Sequence, residues 1–205
     1  MSGKFITFEG SEGSGKSTQA TLVYQYLKRR KKRVLFIREP GGVKISEAIR
    51  NLLLDIKNTK MSDEAETLLY MAARAQLVAE VLEPALKAGK IVLCDRFLDS
   101  TVVYQGYGNG VDLAAIKSVG KFATRGITPD LTLLFDIDTR QGLLRKGKVK
   151  DRIERRSVQY HTRVRRGYQK LAQENPKRIK LIKVNAGKET IFKIVRGHVD
   201  KLLNP

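Results

Sequence analysis

Short apolar runs alternate along this chain with longer stretches in which apolar positions return every three or four residues. Phe5-Ile6-Thr7-Phe8, Val34-Leu35-Phe36-Ile37, Ile91-Val92-Leu93-Cys94 and Leu131-Thr132-Leu133-Leu134-Phe135 read as strands buried on both faces, as does the run 180–184. From Lys16 to about residue 30, Ala20, Val23, Tyr24 and Leu27 fall at helical spacing. Further helices are expected over 46–54, 113–124, 139–146, 154–174 and 189–203. A long one starts at Ser62, an N-cap residue, with Asp63 and Glu64 suiting the positive end of its dipole. It runs toward residue 87, bends at Pro84 and stops at Gly89. Strands alternating with helices predict an α/β fold, a five-stranded parallel sheet with helices on both faces. Neither an internal repeat nor a low-complexity linker interrupts it, so residues 1–205 are expected to form a single domain.

Composition narrows the class. Hydrophobic residues make up 41% of the 205, which argues against disorder. Lys and Arg number 40 against 21 Asp and Glu, a net charge of +19, which points to polyanionic partners. One cysteine, Cys94, excludes an internal disulfide framework and a four-thiolate metal site, and only His161 and His198 are available to a histidine site. No apolar run approaches the roughly 18 residues a membrane span needs, and the start does not read as a signal-peptide core, so the cytoplasm is the expected compartment. Between residues 140 and 183 the acidic residues are only Asp151, Glu154 and Glu174, and the centre, 145–152, has little to bury and is expected to be mobile.

Gly10-Ser11-Glu12-Gly13-Ser14-Gly15-Lys16-Ser17 matches G-x-x-x-x-G-K-[ST] at every fixed position, directly after a strand and before a helix. The glycines let successive backbone N–H groups converge on phosphate oxygens, and the helix N-terminus adds partial positive charge. Lys16 reaches the β- and γ-phosphates of a bound nucleotide, and the Ser17 hydroxyl can hold Mg²⁺. Asp95 ends the third strand; alone it would equally read as a helix N-cap or turn residue, but beside the phosphate loop it reads as the carboxylate that helps hold the metal. The chain has no Asn-Lys-x-Asp guanine-reading element, and a motor or helicase would be longer. Its length and the basic segment near residue 148 suit a small phosphotransferase with a closing lid.

Arg38-Glu39-Pro40-Gly41-Gly42 follows the second strand and Asp95-Arg96-Phe97 the third, with Ser100-Thr101 and Tyr104-Gln105-Gly106 beyond. Ends of neighbouring parallel strands face one crevice, so Arg38 and Arg96 could clamp a second phosphate; each alone would equally be a surface ion pair. Tyr70 and Arg74, four apart on the long helix, share a face and could hold a base, or could be a half-buried Tyr beside a solvent-facing Arg.

These segments, together with Phe8-Glu9 before the phosphate loop, Thr18 after it, Pro129-Asp130-Leu131 and Asp151-Arg152-Ile153-Glu154, resemble thymidylate kinase, in that family's order, from residue 5 to about 170. The resemblance implies a P-loop nucleoside-monophosphate-kinase fold with a short lid at about 145–153, Mg²⁺, a homodimer, and the reaction ATP + dTMP → ADP + dTDP. It implies that residues 10–18 bind ATP, that Glu12 accepts the deoxyribose 3′-hydroxyl, and that Arg38 and Arg96, with Arg50 near, hold the dTMP phosphate. Tyr70 would stack on thymine, Arg74 would bond its carbonyl, Gln105 would sit near the base, and Thr101 would lie at the acceptor site. Tyr104 would crowd the 2′ position. Some relatives carry Arg inside the loop where this chain has Gly13, so the catalytic cation is expected from the lid, where Arg145, Lys146, Lys148 and Lys150 stand; Arg145 or Lys148, with Lys16 and Arg96, is assigned that role.

Two rivals remain at this point. One is a nucleic-acid-binding ATPase, suggested by the basic run 28–33 and by Arg163, Arg165 and Arg166, against which stand the absence of an RNA-binding signature and the few aromatics beside these clusters. The other is a kinase for a different monophosphate.

Overall fold

The computed structural model describes residues 3–145 and 151–204. Five parallel strands form one sheet in the order β2-β3-β1-β4-β5: β1 (Lys4–Gly10), β2 (Val34–Arg38), β3 (Ile91–Asp95), β4 (Leu131–Asp136) and β5 (Ile179–Lys183). Alternation along β1 sorts its residues to two faces. Ile6 and Phe8 pack with Leu93, Leu133 and Phe135 under α1 (Lys16–Arg29); on that same face lies the last described helix (Lys188–Leu203), through Ile191, Val195 and Val199. Phe5, Thr7 and Glu9 point to the other face, where the remaining large helices lie. Both layers are buried, as the apolar strand runs require.

Several helix boundaries differ from expectation. Helix α2 spans Lys44–Leu54, beginning two residues earlier than the pattern indicated. Ser62 does cap α3 (Asp63–Leu77), its hydroxyl accepting from the Ala65 N–H at 3.2 Å. The long helix widens before its proline: residues Val78–Leu82 wind as a π-helix, with the Glu83 N–H bonded to the Val78 carbonyl, before α4 (Glu83–Lys87). Pro84 has no N–H to offer the ladder, and widening it one turn upstream accommodates the ring without breaking the rod. A second helical stretch was not foreseen. Helix α5 (Leu98–Thr101) continues into a π-helical segment, Val102–Asn109, and α6 (Leu113–Ala123) follows.

After β4 comes α7 (Thr139–Arg145), and after the gap comes α8 (Val158–Glu174). That helix starts four residues later than expected. The Asp151 carboxylate accepts from the Ile153 and Glu154 N–H groups at 2.9 Å each and holds a turn there, and Ser157 caps the helix proper. The last helix is α9 (Lys188–Leu203). Lys146, Lys148 and Lys150, and most of the segment expected to be mobile, lie outside the described residues.

Candidate active site

The carboxyl ends of β1, β2 and β3 open onto a cleft of about 290 Å³, walled by α3 and the π-helical segment. The register puts Phe8, Asp95 and Arg38 level across three hydrogen-bonded strands. β2 and β3 thus deliver Arg38 and Asp95 at the same height beside the end of β1.

On one side lies the phosphate loop, ending on Gly15 as the N-cap of α1. Gly13 has φ +67°, and a Cβ there would stand 2.0 Å from the Gly142 carbonyl oxygen of α7, so only glycine lets the loop lie against that helix. Lys16 lies buried at the mouth of α1, and burial pulls its ammonium below the ordinary lysine value, with Arg96 adding to the effect and Glu12 and Asp95 opposing it. A cation held at such a cost in solvation is set to meet an anion. The Ser17 hydroxyl donates to Asp95 Oδ2 at 2.5 Å, while Asp95 Oδ1 is buried with no hydrogen-bond partner among the described residues. A bare carboxylate oxygen beside a hydroxyl is a donor set for a hard cation. No cluster of three or more His, Cys, Asp or Glu stands among the described residues, so a cation here would complete its shell with water and phosphate.

On the other side the acidic and basic groups interlock. Arg96, in a left-handed backbone conformation (φ +70°), bonds Glu12 Oε1 at 2.6 Å, the Gly10 carbonyl at 3.1 Å and the Tyr104 hydroxyl at 3.1 Å. Tyr104 itself donates to Glu12 at 2.8 Å. Arg96 therefore braces the phosphate loop against the π-helical segment. Beneath it, Glu9 accepts from the Phe97 N–H, the Ser100 hydroxyl and the Tyr168 hydroxyl. Burial, and then Asp99, push the Glu9 carboxyl up to about 7. Arg38 is half exposed and paired with Glu47 at 2.8 Å; both Arg38 and Arg50 donate to the Pro40 carbonyl.

Arg74 lines the cleft, but it is not the solvent-facing arginine the helix pattern allowed. It is 2% exposed and ion-paired to Glu39 at 2.7 Å. Its other bonds go to Met71 Sδ, the Phe97 carbonyl and Thr101 Oγ1, so four of the five guanidinium N–H groups are taken. Burial pushes the Glu39 carboxyl up, against the pull of Arg74, and leaves its Oε1 without a partner among the described residues. Tyr70 also faces the cleft, its phenol driven upward by burial and by Glu66. Gln105 donates Nε2 to Glu66 at 2.9 Å.

One cleft thus gathers Glu12, Lys16, Ser17 and Asp95 with Arg38, Arg50, Tyr70, Arg74, Arg96, Thr101, Tyr104 and Gln105. The loop residues Gly10, Ser11, Gly13, Ser14 and Gly15 lead into it, and Thr18 sits exposed on α1. Arg145, exposed at the end of α7, does not line the cleft, and Lys148 lies outside the described residues. Glu39, Asp151, Ile153 and Glu154 line it as well. These four stood inside the segments carrying the family resemblance, and that placement was the only signal for them.

Known proteins that resemble this chain point to one family. The family profile "Thymidylate kinase" matches residues 8–195. A thymidylate kinase of Thermoanaerobacter sp. is 46% identical over 201 residues, spanning 98% of this chain and 97% of its own length. One of Roseiflexus castenholzii is 42% identical over 214 residues, spanning 97% and 93%. The crystal structure of thymidylate kinase from Ehrlichia chaffeensis superposes with a TM-score of 0.80 at 32% identity, covering 98% of this chain and 99% of the other.

Proposed function

The chain belongs to the thymidylate kinase family, and on that footing we propose that it transfers the γ-phosphoryl group of ATP to dTMP, giving ADP and dTDP. A phosphate oxygen of dTMP attacks the γ-phosphorus, the bond to the β–γ bridging oxygen breaks, and ADP leaves with the electron pair. The acceptor is already an oxyanion, so no strong base is needed. The work is alignment and charge neutralisation. The loop N–H groups and Lys16 hold the donor phosphates; Arg38, Arg50 and Arg96 face the acceptor phosphate. Glu12, fixed by Arg96 and Tyr104, takes the sugar 3′-hydroxyl, while Tyr104 closes the 2′ side. Tyr70 stacks on the base. Arg74 has one N–H left for the base carbonyl, and its main duty is to hold Glu39 and Thr101 in place.

Mg²⁺ is the expected cofactor: Ser17 and the bare Oδ1 of Asp95 would hold it, directly or through water, and its charge would offset the phosphate oxygens. The lid cation is assigned to Arg145 or Lys148, and closure over the cleft would exclude water and limit ATP hydrolysis.

The observation that carries this reading is the level alignment of Arg38 and Asp95 beside the phosphate loop. It supports a reading in which Arg38 serves the acceptor phosphate and Asp95 the metal, side by side at the mouth of one cleft. The test is a panel of nucleoside monophosphates with ATP and Mg²⁺, following ADP release. Preference for dTMP supports the reading, and inertness toward every monophosphate removes it. Nucleic acid is disfavoured as a ligand: Arg163 donates to the Gly108 carbonyl and Arg165 is paired with Asp136, so part of the suggestive basic cluster serves internal bonds. A homodimer is supported by the exposed Ile45, Leu52, Leu68 and Phe122 on the packed helices α2, α3 and α6, an apolar set a second copy could cover; sedimentation would measure it. Among the described residues no helix is long and apolar enough to cross a membrane.

A further inference from the structure

Glu66 is fully buried on α3, and its two carboxylate oxygens serve two different kinds of partner. Oε2 takes guanidinium groups, from Arg152 at 2.6 Å and Arg156 at 2.7 Å. Oε1 takes carboxamides, from Gln105 Nε2 at 2.9 Å and Asn109 Nδ2 at 3.1 Å. Arg156 also donates to Asn109 Oδ1. A carboxylate accepts hydrogen bonds and donates none. Gln105 must therefore turn its NH₂ toward Glu66, which leaves Oε1 as the amide's acceptor in a residue that lines the cleft.

We infer that Glu66 is a positioning residue that fixes the Gln105 amide with its oxygen toward the base, so that the site reads a ring N–H donor. The inference rests on the kinase reading above and deepens it. Thymine offers N3–H, which an amide oxygen accepts; cytosine offers a bare N3, which meets that oxygen lone pair to lone pair. A free glutamine would rotate its amide by a half-turn and serve either base. The pinned one cannot. Exclusion by an unmatched polar group is stronger than exclusion by shape. Arg152 extends the same device, since it also bonds the Leu53 carbonyl of α2 and so ties its own turn to both α2 and α3.

The test is the ratio of dissociation constants for dCMP and dTMP, measured by titration calorimetry on wild type, Glu66→Gln, Glu66→Asp, Gln105→Met and the Glu66→Gln/Gln105→Met double variant. In Glu66→Gln the new amide can donate to Gln105 Oε1, which frees Nε2 to face the base, so the preference for dTMP is expected to fall by about tenfold or more, the worth of one matched hydrogen bond in a dry site. In the Gln105→Met background the same Glu66 change should leave the ratio where it was, because the side chain it acts through is gone. Glu66→Asp keeps the charge that holds Arg152 and Arg156 while withdrawing the carboxylate from Gln105, and it decides the matter if Glu66→Gln does not fold. A wild type that prefers dTMP, with both Glu66 variants keeping that preference, would overturn the inference alone. An equal loss in the Gln105→Met background would overturn it too. A wild type that binds the two nucleotides alike would instead remove the acceptor assignment beneath it.

Discussion

Removing the Arg74 guanidinium should cost the fold more than any other single change in the cleft. Arg74→Met keeps most of the volume and the unbranched stem and takes away four hydrogen bonds. What it strands matters more. Glu39 already has one oxygen without a partner, and its other oxygen faces Arg74 at 2.7 Å with both side chains 4% exposed or less. Breaking one partner out of a buried pair costs about 3–5 kcal/mol, since a charge remains in a dry place. For a chain of this size each kcal/mol lowers the melting temperature by about 2–4 °C, so the variant should melt roughly 6–20 °C below wild type. The loss should depend on pH. Burial already holds the Glu39 carboxyl above its ordinary 4.5, and losing Arg74 raises it further. A carboxyl raised in the fold contributes its stability below the unfolded value and loses it as pH rises through the folded value. The deficit of Arg74→Met should therefore be smaller near pH 5 than near pH 8. The double variant Glu39→Gln/Arg74→Met carries no charge to strand and should recover much of the difference at pH 8. Thermal and urea unfolding of the three proteins at both pH values measure this. A single variant within about 1 kcal/mol of wild type, or a double variant no more stable than the single at pH 8, would refute the reasoning.

Asp95→Asn should leave the melting temperature nearly unchanged and raise the Mg²⁺ concentration for half-maximal turnover by about 10–100-fold; an unaltered Mg²⁺ titration would count against the assignment of Asp95. Gly13→Ala sets a Cβ against the Gly142 carbonyl at a backbone angle that disfavours it, and it should lose about 1–3 kcal/mol and weaken ATP binding, both measurable by melting with and without nucleotide. Glu9→Gln should flatten a pH dependence: with the folded carboxyl at about 7, wild type should lose on the order of 3 kcal/mol relative to the variant as pH rises from about 4.5 to 7.5, and parallel stability curves would show that Glu9 is ionised throughout. Arg145→Ala and Lys148→Ala address the lid; a drop of 10³-fold or more in turnover in one of them is expected of a cation aligned with the transferring group, and unchanged rates in both would place that charge elsewhere.

The sheet was legible because buried parallel strands must be apolar on both faces, which leaves short runs such as Ile91-Val92-Leu93-Cys94 with no other reading. The phosphate loop was legible because its chemistry sits in backbone and spacing. Arg74 was only half legible. Its position four residues after Tyr70 fixed the helix face, but Glu39, which claims it, comes from the end of another strand 35 residues earlier. The helical stretch after β3 was hidden for a related reason. Gly108 weakens any local helix signal, and the structure uses the glycine for tertiary contact: a Cβ there would lie 2.6 Å from the Tyr160 ring. The pairing of charges was not legible, because the partners lie far apart in the chain: Arg152 and Arg156 meet Glu66, Arg165 meets Asp136 and Arg178 meets Asp99.

The equal height of Phe8, Asp95 and Arg38 on neighbouring strands has an evolutionary corollary. Adjacent strands lie about 4.8 Å apart, so the spacing of the Arg38 and Asp95 backbones is set by strand pairing, whatever side chains stand there. The residues to which the proposed function gives the base belong to a separate wall, α3 and the helical turn after β3. Substitutions in that wall can retune which nucleobase is admitted while the span across which the phosphoryl group travels stays the same.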